Sequence, residues 1–489
     1  MNDKVTLGLM ETGVPGLDTL LGGGLGEFSF NLIAGAPGSG KTTLAHQMMF
    51  KLASPERRAL FFTVLGEPPL KMLRFQQQYS FFDLAKVGPA IRYVNLAENL
   101  RQGDFSVVLA RIMEEVEAFS PSLVFVDSFR SVVQTARPGD EGVADLQYFI
   151  EELGTRMTSW EATTFLIGEY VQAETEANPI MTVADGVIAL AQTHERNSVV
   201  RKIRVVKMRG QAHLSGSHTF RITGEGLRTY PRLLPPVPPD LTTGADVDTD
   251  PARIATGTPD LDAMLHGGLP KGHVALLVGP TGAGKTIVGT RFLQEGARRG
   301  EKGVAMFFEK ATARLRNAEM AHLVRDGHVA VVDSRSLDLS IEELLDELDH
   351  AIARTGATRV VIDSLSEMGL YLAPEFRVDL RLAVFRMLSS LAHRGVSVLV
   401  TIGQDDQFTE IRFSRDEMSF LVDAVIAMRY VEIQGRLSKV ITVVKVRGSA
   451  HSTELREYRI TGRGLEIEPH AIAHAGVMTG NDGRRPQNG

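Results

Sequence analysis

Two octapeptides in this chain have the residue types and spacing to hold a nucleotide triphosphate. Gly35-Ala36-Pro37-Gly38-Ser39-Gly40-Lys41-Thr42 sets two glycines either side of four residues, then a lysine and a hydroxyl. Gly279-Pro280-Thr281-Gly282-Ala283-Gly284-Lys285-Thr286 does the same. The glycines let the backbone curl so that several N–H groups aim at phosphate oxygens. The lysine adds a mobile positive charge, and the hydroxyl can occupy a position on Mg²⁺. The candidate nucleotide-binding residues are Gly35, Gly38, Ser39, Gly40, Lys41, Thr42 and Thr43, with Thr281, Gly282, Ala283, Gly284, Lys285, Thr286 and Ile287 in the second copy.

Other residue types complete the chemistry. Asp127 and Asp363 each end an apolar run and precede a serine. An aspartate there is often a turn former or a helix cap. Downstream of a phosphate loop it fits the metal shell better, so Thr42, Asp127, Thr286 and Asp363 form the candidate Mg²⁺ set. Hydrolysis also needs a group to orient or deprotonate water. Glu309 follows the strand Val304–Phe308, and Glu67 is the nearest acid past the strand Ala59–Val64. Both are candidate general bases, Glu309 is also a candidate metal ligand, and the competing reading is a solvated loop acid. Late in each copy, Lys207-Met208-Arg209-Gly210 and Lys445-Val446-Arg447-Gly448 follow apolar strands. On a strand, Lys207 and Arg209 share a face, as do Lys445 and Arg447. Such a pair is either an exposed basic edge that discourages aggregation or a set of cationic fingers for a neighbouring subunit's nucleotide.

These residues must be positioned by repeated elements. Phe28–Ala34 and His273–Val278 read as strands entering the loops, and Thr43–Leu52 reads as a helix leaving the first. Strands at Ala59–Val64, Leu123–Val126 and Thr163–Ile167, with helical spacing over Val107–Phe119, predict an α/β unit with a mostly parallel sheet flanked by helices. The carboxyl ends of its strands gather the phosphate loop and Asp127. Thr12-Gly13-Val14-Pro15-Gly16-Leu17-Asp18 recurs as Thr256-Gly257-Thr258-Pro259-Asp260-Leu261-Asp262, at the offset of 244 that also separates Lys41 from Lys285. The offset becomes 236 at Asp127 and Asp363, and 238 at Lys207 and Lys445. The chain is a tandem duplication: 1–230 and 253–468 are the two domains, a proline-rich linker occupies 231–252, and 469–489 is a flexible tail. An SH3-type ligand is the alternative reading of Pro231–Pro239.

At 489 residues the chain exceeds a single core. A net charge of −6 gives no basic footprint for nucleic acid. With no cysteine, disulfides, thiol catalysis and Cys-ligated zinc are excluded. No basic-then-apolar leader opens the sequence and no apolar run is long enough to span a membrane, so the expectation is a soluble cytoplasmic protein.

The double phosphate loop, the Thr-Gly-x-x-x-Leu-Asp openings, the Asp-Ser strand ends and the doubled Lys-x-Arg-Gly-x-x-His together resemble the KaiC family. These are the tandem RecA-like ATPases of the cyanobacterial circadian clock and their homologues elsewhere. The likeness runs from about Gly13 to Ile467 and is particularly close over Tyr430–Gly435 and Lys445–His451. It implies two RecA-like P-loop domains, a hexameric double ring and Mg²⁺-dependent hydrolysis of ATP held between subunits. It further implies that Lys207, Arg209, Lys445 and Arg447 reach the neighbour's nucleotide. The family's second domain phosphorylates itself on adjacent Ser and Thr. That pair aligns here with Ser419-Phe420, so only Ser419 is a candidate phosphosite, and a two-site cycle is excluded. The paired glutamates of the second domain read Glu309-Lys310, and those of the first read Leu65-Gly66 followed by Glu67. The family's KaiA-binding segment has no counterpart after Pro469, so KaiA binding is not expected. A KaiB-like partner is compatible with these residues, though none of them calls for it.

The reading is therefore a ring-forming, Mg²⁺-dependent ATPase used as a signalling or timing switch, with autokinase activity at Ser419 as a further expectation. One rival is a DNA-handling RecA-type protein, which would need basic or aromatic loops at the ring centre. The other is a scaffold that binds ATP for assembly and barely turns it over.

Overall fold

The computed structural model describes residues 8–64, 69–100, 105–128, 140–169, 179–195, 198–232, 252–308, 318–333, 338–377, 380–403, 422–433 and 435–472. The chain divides between Arg232 and Leu233 into two compact units. In the first, β1 (Leu9–Met10) and β2 (Leu25–Gly26) form a small ribbon. A nine-stranded sheet follows, comprising β3 (Phe30–Gly35), β4 (Ala59–Thr63), β5 (Ile91–Asn95), β6 (Leu123–Asp127), β7 (Thr163–Gly168), β8 (Gly186–Glu195), β9 (Ser198–Met208), β10 (His218–Thr223) and β11 (Gly226–Tyr230). Their spatial order is β11-β10-β9-β8-β3-β7-β6-β4-β5. The strands from β8 to β5 run parallel, and β9, β10 and β11 are added antiparallel.

The second unit repeats this with β12 (Arg253–Ile254) and β13 (Leu269–Pro270) as its ribbon. Its sheet is β14 (Val274–Gly279), β15 (Gly303–Phe307), β16 (Val329–Asp333), β17 (Arg359–Asp363), β18 (Ser397–Gly403), β19 (Ala424–Ile433), β20 (Arg436–Val446), β21 (Arg456–Thr461) and β22 (Gly464–Ala471). The order β16-β15-β17-β18-β14-β19-β20-β21-β22 is that of the first sheet, strand for strand. Both units are mostly parallel α/β sheets flanked by helices, as tandem RecA-like domains are.

The two-residue side-chain period of a strand explains why the central strands are apolar throughout. Phe30, Leu32 and Ala34 enter one core cluster with Leu60, Phe62, Val124, Val126 and Leu166. Ile33 enters the other face with Ala59, Phe61, Leu123, Phe125, Phe165 and Ile167. Each face is closed by helices, so alternate residues of one strand serve two separate cores. Val274, Leu276 and Val278 divide from Ala275 and Leu277 in the same way.

Expected and observed boundaries differ by a residue or two at the loops. The first loop strand starts at Phe30 rather than Phe28, because Phe28 takes a left-handed φ of 59° and turns the chain. The helix after it begins at Lys41 rather than Thr43, directly beyond Gly40 with φ 103°. The helix expected over Val107–Phe119 spans Phe105–Phe119. Among the described residues no helix is long and apolar enough to cross a membrane.

Candidate nucleotide sites

In the first unit, β3 delivers the chain into the phosphate loop and the helix Lys41–Leu52 carries it away. Gly38 and Gly40 hold φ of 76° and 103°, which side-chain-bearing residues rarely adopt. The loop wraps the Lys41 ammonium, whose Nζ donates to Ala36 O at 2.9 Å. Burial pushes that ammonium below the ordinary lysine range, and the carboxylates of Glu169 and Asp127 oppose the shift. Thr42 Oγ1 donates to Asp127 Oδ2 at 2.7 Å. Ser39 Oγ is buried without a hydrogen-bond partner among the described residues.

These groups line one cleft of about 540 Å³, with Gly38, Gly40, Lys41, Thr42, Thr43 and Asp127 on its floor. Three of its wall residues were missed by sequence reasoning. Glu169 lies one residue past the end of β7, beside the end of β6 that carries Asp127. Arg201, on β9, contributes a guanidinium whose Nε is buried and unpartnered among the described residues. Phe75, 60% exposed, offers an aromatic surface from the helix Pro69–Gln76. Strand topology alone marks Glu169, because it follows a parallel strand next to the one ending in Asp127.

The second unit builds the same arrangement. Gly282 and Gly284 take φ of 79° and 101°. Lys285 Nζ donates to Gly279 O at 2.7 Å and to Pro280 O at 2.9 Å. Thr286 Oγ1 donates to Asp363 Oδ2 at 2.9 Å, and Thr401 Oγ1 donates to the other oxygen, Oδ1. Asp363 is buried, so both hydroxyls hold its carboxylate in one orientation. The loop is braced by Tyr458, whose hydroxyl donates to Ala283 O at 2.7 Å.

In each unit a threonine hydroxyl and an aspartate carboxylate meet beside a phosphate loop. Hard oxygen donors of this kind suit Mg²⁺ together with phosphate oxygens, so the residues fit the metal and nucleotide that the sequence implied. Comparison with known proteins accords with that geometry. A sequence model described as the KaiC ATPase matches residues 10–233 and again 254–472. The chain belongs to the KaiC family of ATPases. It is 26% identical, over 97% of its length and 92% of theirs, to the circadian clock oscillator protein KaiC of Picosynechococcus sp. (strain ATCC 27264 / PCC 7002 / PR-6) and to KaiC 1 of Synechocystis sp. (strain ATCC 27184 / PCC 6803 / Kazusa). The KaiC of Acaryochloris marina is 24% identical over 99% of this chain and 92% of its own length.

The basic pairs lie at equivalent places in the two KaiC-type units. Lys207 is the penultimate residue of β9, and Arg209 follows the strand. Lys207 Nζ donates to Met181 O and Thr182 O, both at 3.0 Å, and Arg209 donates to Thr182 O at 3.0 Å and to Asp185 at 3.1 Å. Burial and the neighbouring Arg209 both push the Lys207 ammonium down. In the second unit Lys445 is again depressed, by burial and Arg447, and Arg447 lies 3.6 Å from Asp423. Arg209 and Arg447 are more than half exposed, so each pair is an anchored basic outcrop. Neither Lys207 nor Arg209 lines the first unit's cleft. Glu67, Glu309 and Ser419 lie outside the described residues.

Proposed function

We propose that both units bind Mg·ATP and hydrolyse it, and that ATP lies between neighbouring copies of the chain in a hexameric ring. The observation that carries this is the doubled constellation of loop lysine, threonine and strand-end aspartate, Lys41–Thr42–Asp127 and Lys285–Thr286–Asp363. Mg²⁺ held by the threonine and aspartate oxygens supplies neutralisation of phosphate charge. The loop N–H groups and the lysine orient the phosphates in a partly desolvated cleft, where each contact is strengthened. Glu67 and Glu309 are the proposed water-orienting acids, and Glu309 is also assigned to the metal shell. Lys207 and Arg209 do not line their own unit's cleft, and Arg209 and Arg447 are more than half exposed, which supports a role for the two pairs, Lys207–Arg209 and Lys445–Arg447, on a neighbour's nucleotide. The domain limits 1–230 and 253–468 and a cytoplasmic setting belong to the same reading, with β22 carrying the second sheet three residues past that limit, to Ala471.

In this account the second unit also phosphorylates Ser419, and nucleotide state sets ring conformation for a partner such as a KaiB-like protein. The test is intact-protein mass before and after incubation with Mg·ATP, with released phosphate read from the same sample. Turnover with a gain of one phosphate that Ser419→Ala abolishes supports the full account. Turnover without mass gain removes the kinase and leaves the ATPase; no turnover at all overturns hydrolysis in favour of a nucleotide-gated scaffold.

A further inference from the structure

At the opposite end of the first sheet from the phosphate loop lies a second cavity, of about 270 Å³. Three residues lining it, Phe28, Ser120 and Glu161, hold left-handed φ of 59°, 47° and 54°. The second unit has glycine at all three equivalent places. Gly272 precedes β14 as Phe28 precedes β3, Gly356 precedes β17 as Ser120 precedes β6, and Gly395 precedes β18 as Glu161 precedes β7. These glycines take φ of 79°, 68° and 74°. The backbone turn is thus common to both units, and glycine is the residue that adopts it without steric cost. The first unit places side chains at all three turns, and all three converge on one cavity. Non-glycine residues in this conformation concentrate where a side chain is needed for something besides folding.

The remaining wall supplies the chemistry. Trp160 and Phe28 are each about two-fifths exposed at the cavity. Arg57, Glu27 and Glu161 also line it, and none of their side chains forms an ion pair among the described residues. An aromatic face beside a carboxylate suits an organic ammonium group, and a guanidinium suits a carboxylate. We infer that this cavity binds a small zwitterion of amino-acid size, its ammonium group against Trp160 and Glu161 and its carboxylate on Arg57.

Trp160 is the only tryptophan in the chain, so its emission reports on this cavity alone. The nineteen free L-amino acids other than tryptophan, and choline as a cation without an acid group, would each be titrated at millimolar concentration into the full-length protein. At least one amino acid should change Trp160 emission saturably while choline does not. Its affinity should fall about tenfold or more in Arg57→Ala and in Glu161→Gly. Glu161→Gly installs the residue the second unit uses at that turn, so its melting temperature should hold or rise, which separates lost binding from lost folding. The inference is overturned if no amino acid gives a saturable change, if choline acts as well as any amino acid, or if both variants bind undiminished. The readout is independent of nucleotide turnover, so its failure leaves the ATPase reading untouched.

Discussion

Thr42 Oγ1 lies 2.7 Å from Asp127 Oδ2, although 85 residues separate them in sequence. The contact exists because β3 and β6 both flank β7 in parallel register, which brings the phosphate loop and the end of β6 to one edge of the sheet. Thr286 and Asp363 meet by the same route across β18. Two hydroxyl–carboxylate pairs built identically from a duplicated sheet are hard to reconcile with an incidental turn contact.

Removing one member of the pair should therefore act on metal dependence before it acts on the fold. In a chain whose second site is silenced by Lys285→Ala, Thr42→Ala should lower Mg²⁺ affinity or turnover roughly 10–100-fold. Binding of ATP without Mg²⁺ should change little. Phosphate release titrated with MgCl₂, alongside fluorescent-nucleotide binding in EDTA, measures both. An equal loss of metal-free binding would make Thr42 a phosphate contact instead.

Glu169 gives the two sites different chemistry. By strand register its counterpart is Gly403, which has no side chain to offer. The Glu169 carboxylate is the larger of two charges opposing the depression of the Lys41 pKa. With the second site silenced, Glu169→Gln should reduce turnover by about an order of magnitude, less than the roughly 10²–10⁴-fold of a direct general acid or base, because Glu169 acts through Lys41. It should also shift the alkaline limb of the pH–rate profile to lower pH, since Lys41 loses the charge that favours its protonated form. An unmoved alkaline limb would show that Glu169 does not act through Lys41.

The contrast between the Thr–Asp pairs and Glu169 shows what could be read from sequence. Lys41, Thr42 and Asp127 were legible because a fixed local spacing, an apolar strand and a strand-end acid are properties of short segments. Glu169 follows an apolar strand too, but its meaning depends on β7 lying between β3 and β6, and that order is set by packing. Arg201 was hidden for a related reason: it shares its face of β9 with the apolar Ile203 and Val205, and residue type does not show that this face reaches the cleft. The cavity around Trp160 was invisible because a left-handed turn at Phe28, Ser120 or Glu161 leaves no mark in residue type. The backbone marks it: these three residues take left-handed φ where the second unit has Gly272, Gly356 and Gly395.

His46 should make the first unit sensitive to mild acid. It is fully buried one turn into the loop helix, its Nδ1 donates to Thr42 O at 2.8 Å, and Nε2 has no partner among the described residues. Burial lowers its pKa to about 4. Between pH 6.5 and pH 4 the unfolded chain takes up a proton that the folded chain refuses, so stability is complete above pH 6.5 and is lost on acidification. From pH 7 to pH 5 the loss should be about 2 kcal/mol. The second unit has Thr290 at this place, bonded to Thr286 O at 2.9 Å, and so has no titrating group at this position. Urea unfolding at both pH values should show the His46→Gln variant less acid-sensitive by that amount; an identical pH response in both would mean His46 is solvated in the folded chain.

Whether Arg209 acts on its own nucleotide or a neighbour's can be decided by mixing variants. Arg209 is anchored to Thr182 and Asp185 of its own unit yet remains more than half exposed. With Lys285→Ala present throughout, Arg209→Ala and Lys41→Ala chains should each be nearly inactive alone, because loss of such a finger costs on the order of 10³-fold or more. In a ring, an Arg209→Ala chain still holds ATP with Lys41, and a Lys41→Ala neighbour still presents Arg209. Random co-assembly of equal amounts restores that combination at roughly one interface in four, so about a quarter of the parent rate should return on subunit exchange. Recovery would also establish that ATP sits between chains, because two defective subunits can complement only across a shared site. If the mixture stays as inactive as its components while size-exclusion shows mixed rings, Arg209 serves its own subunit and the finger assignment falls.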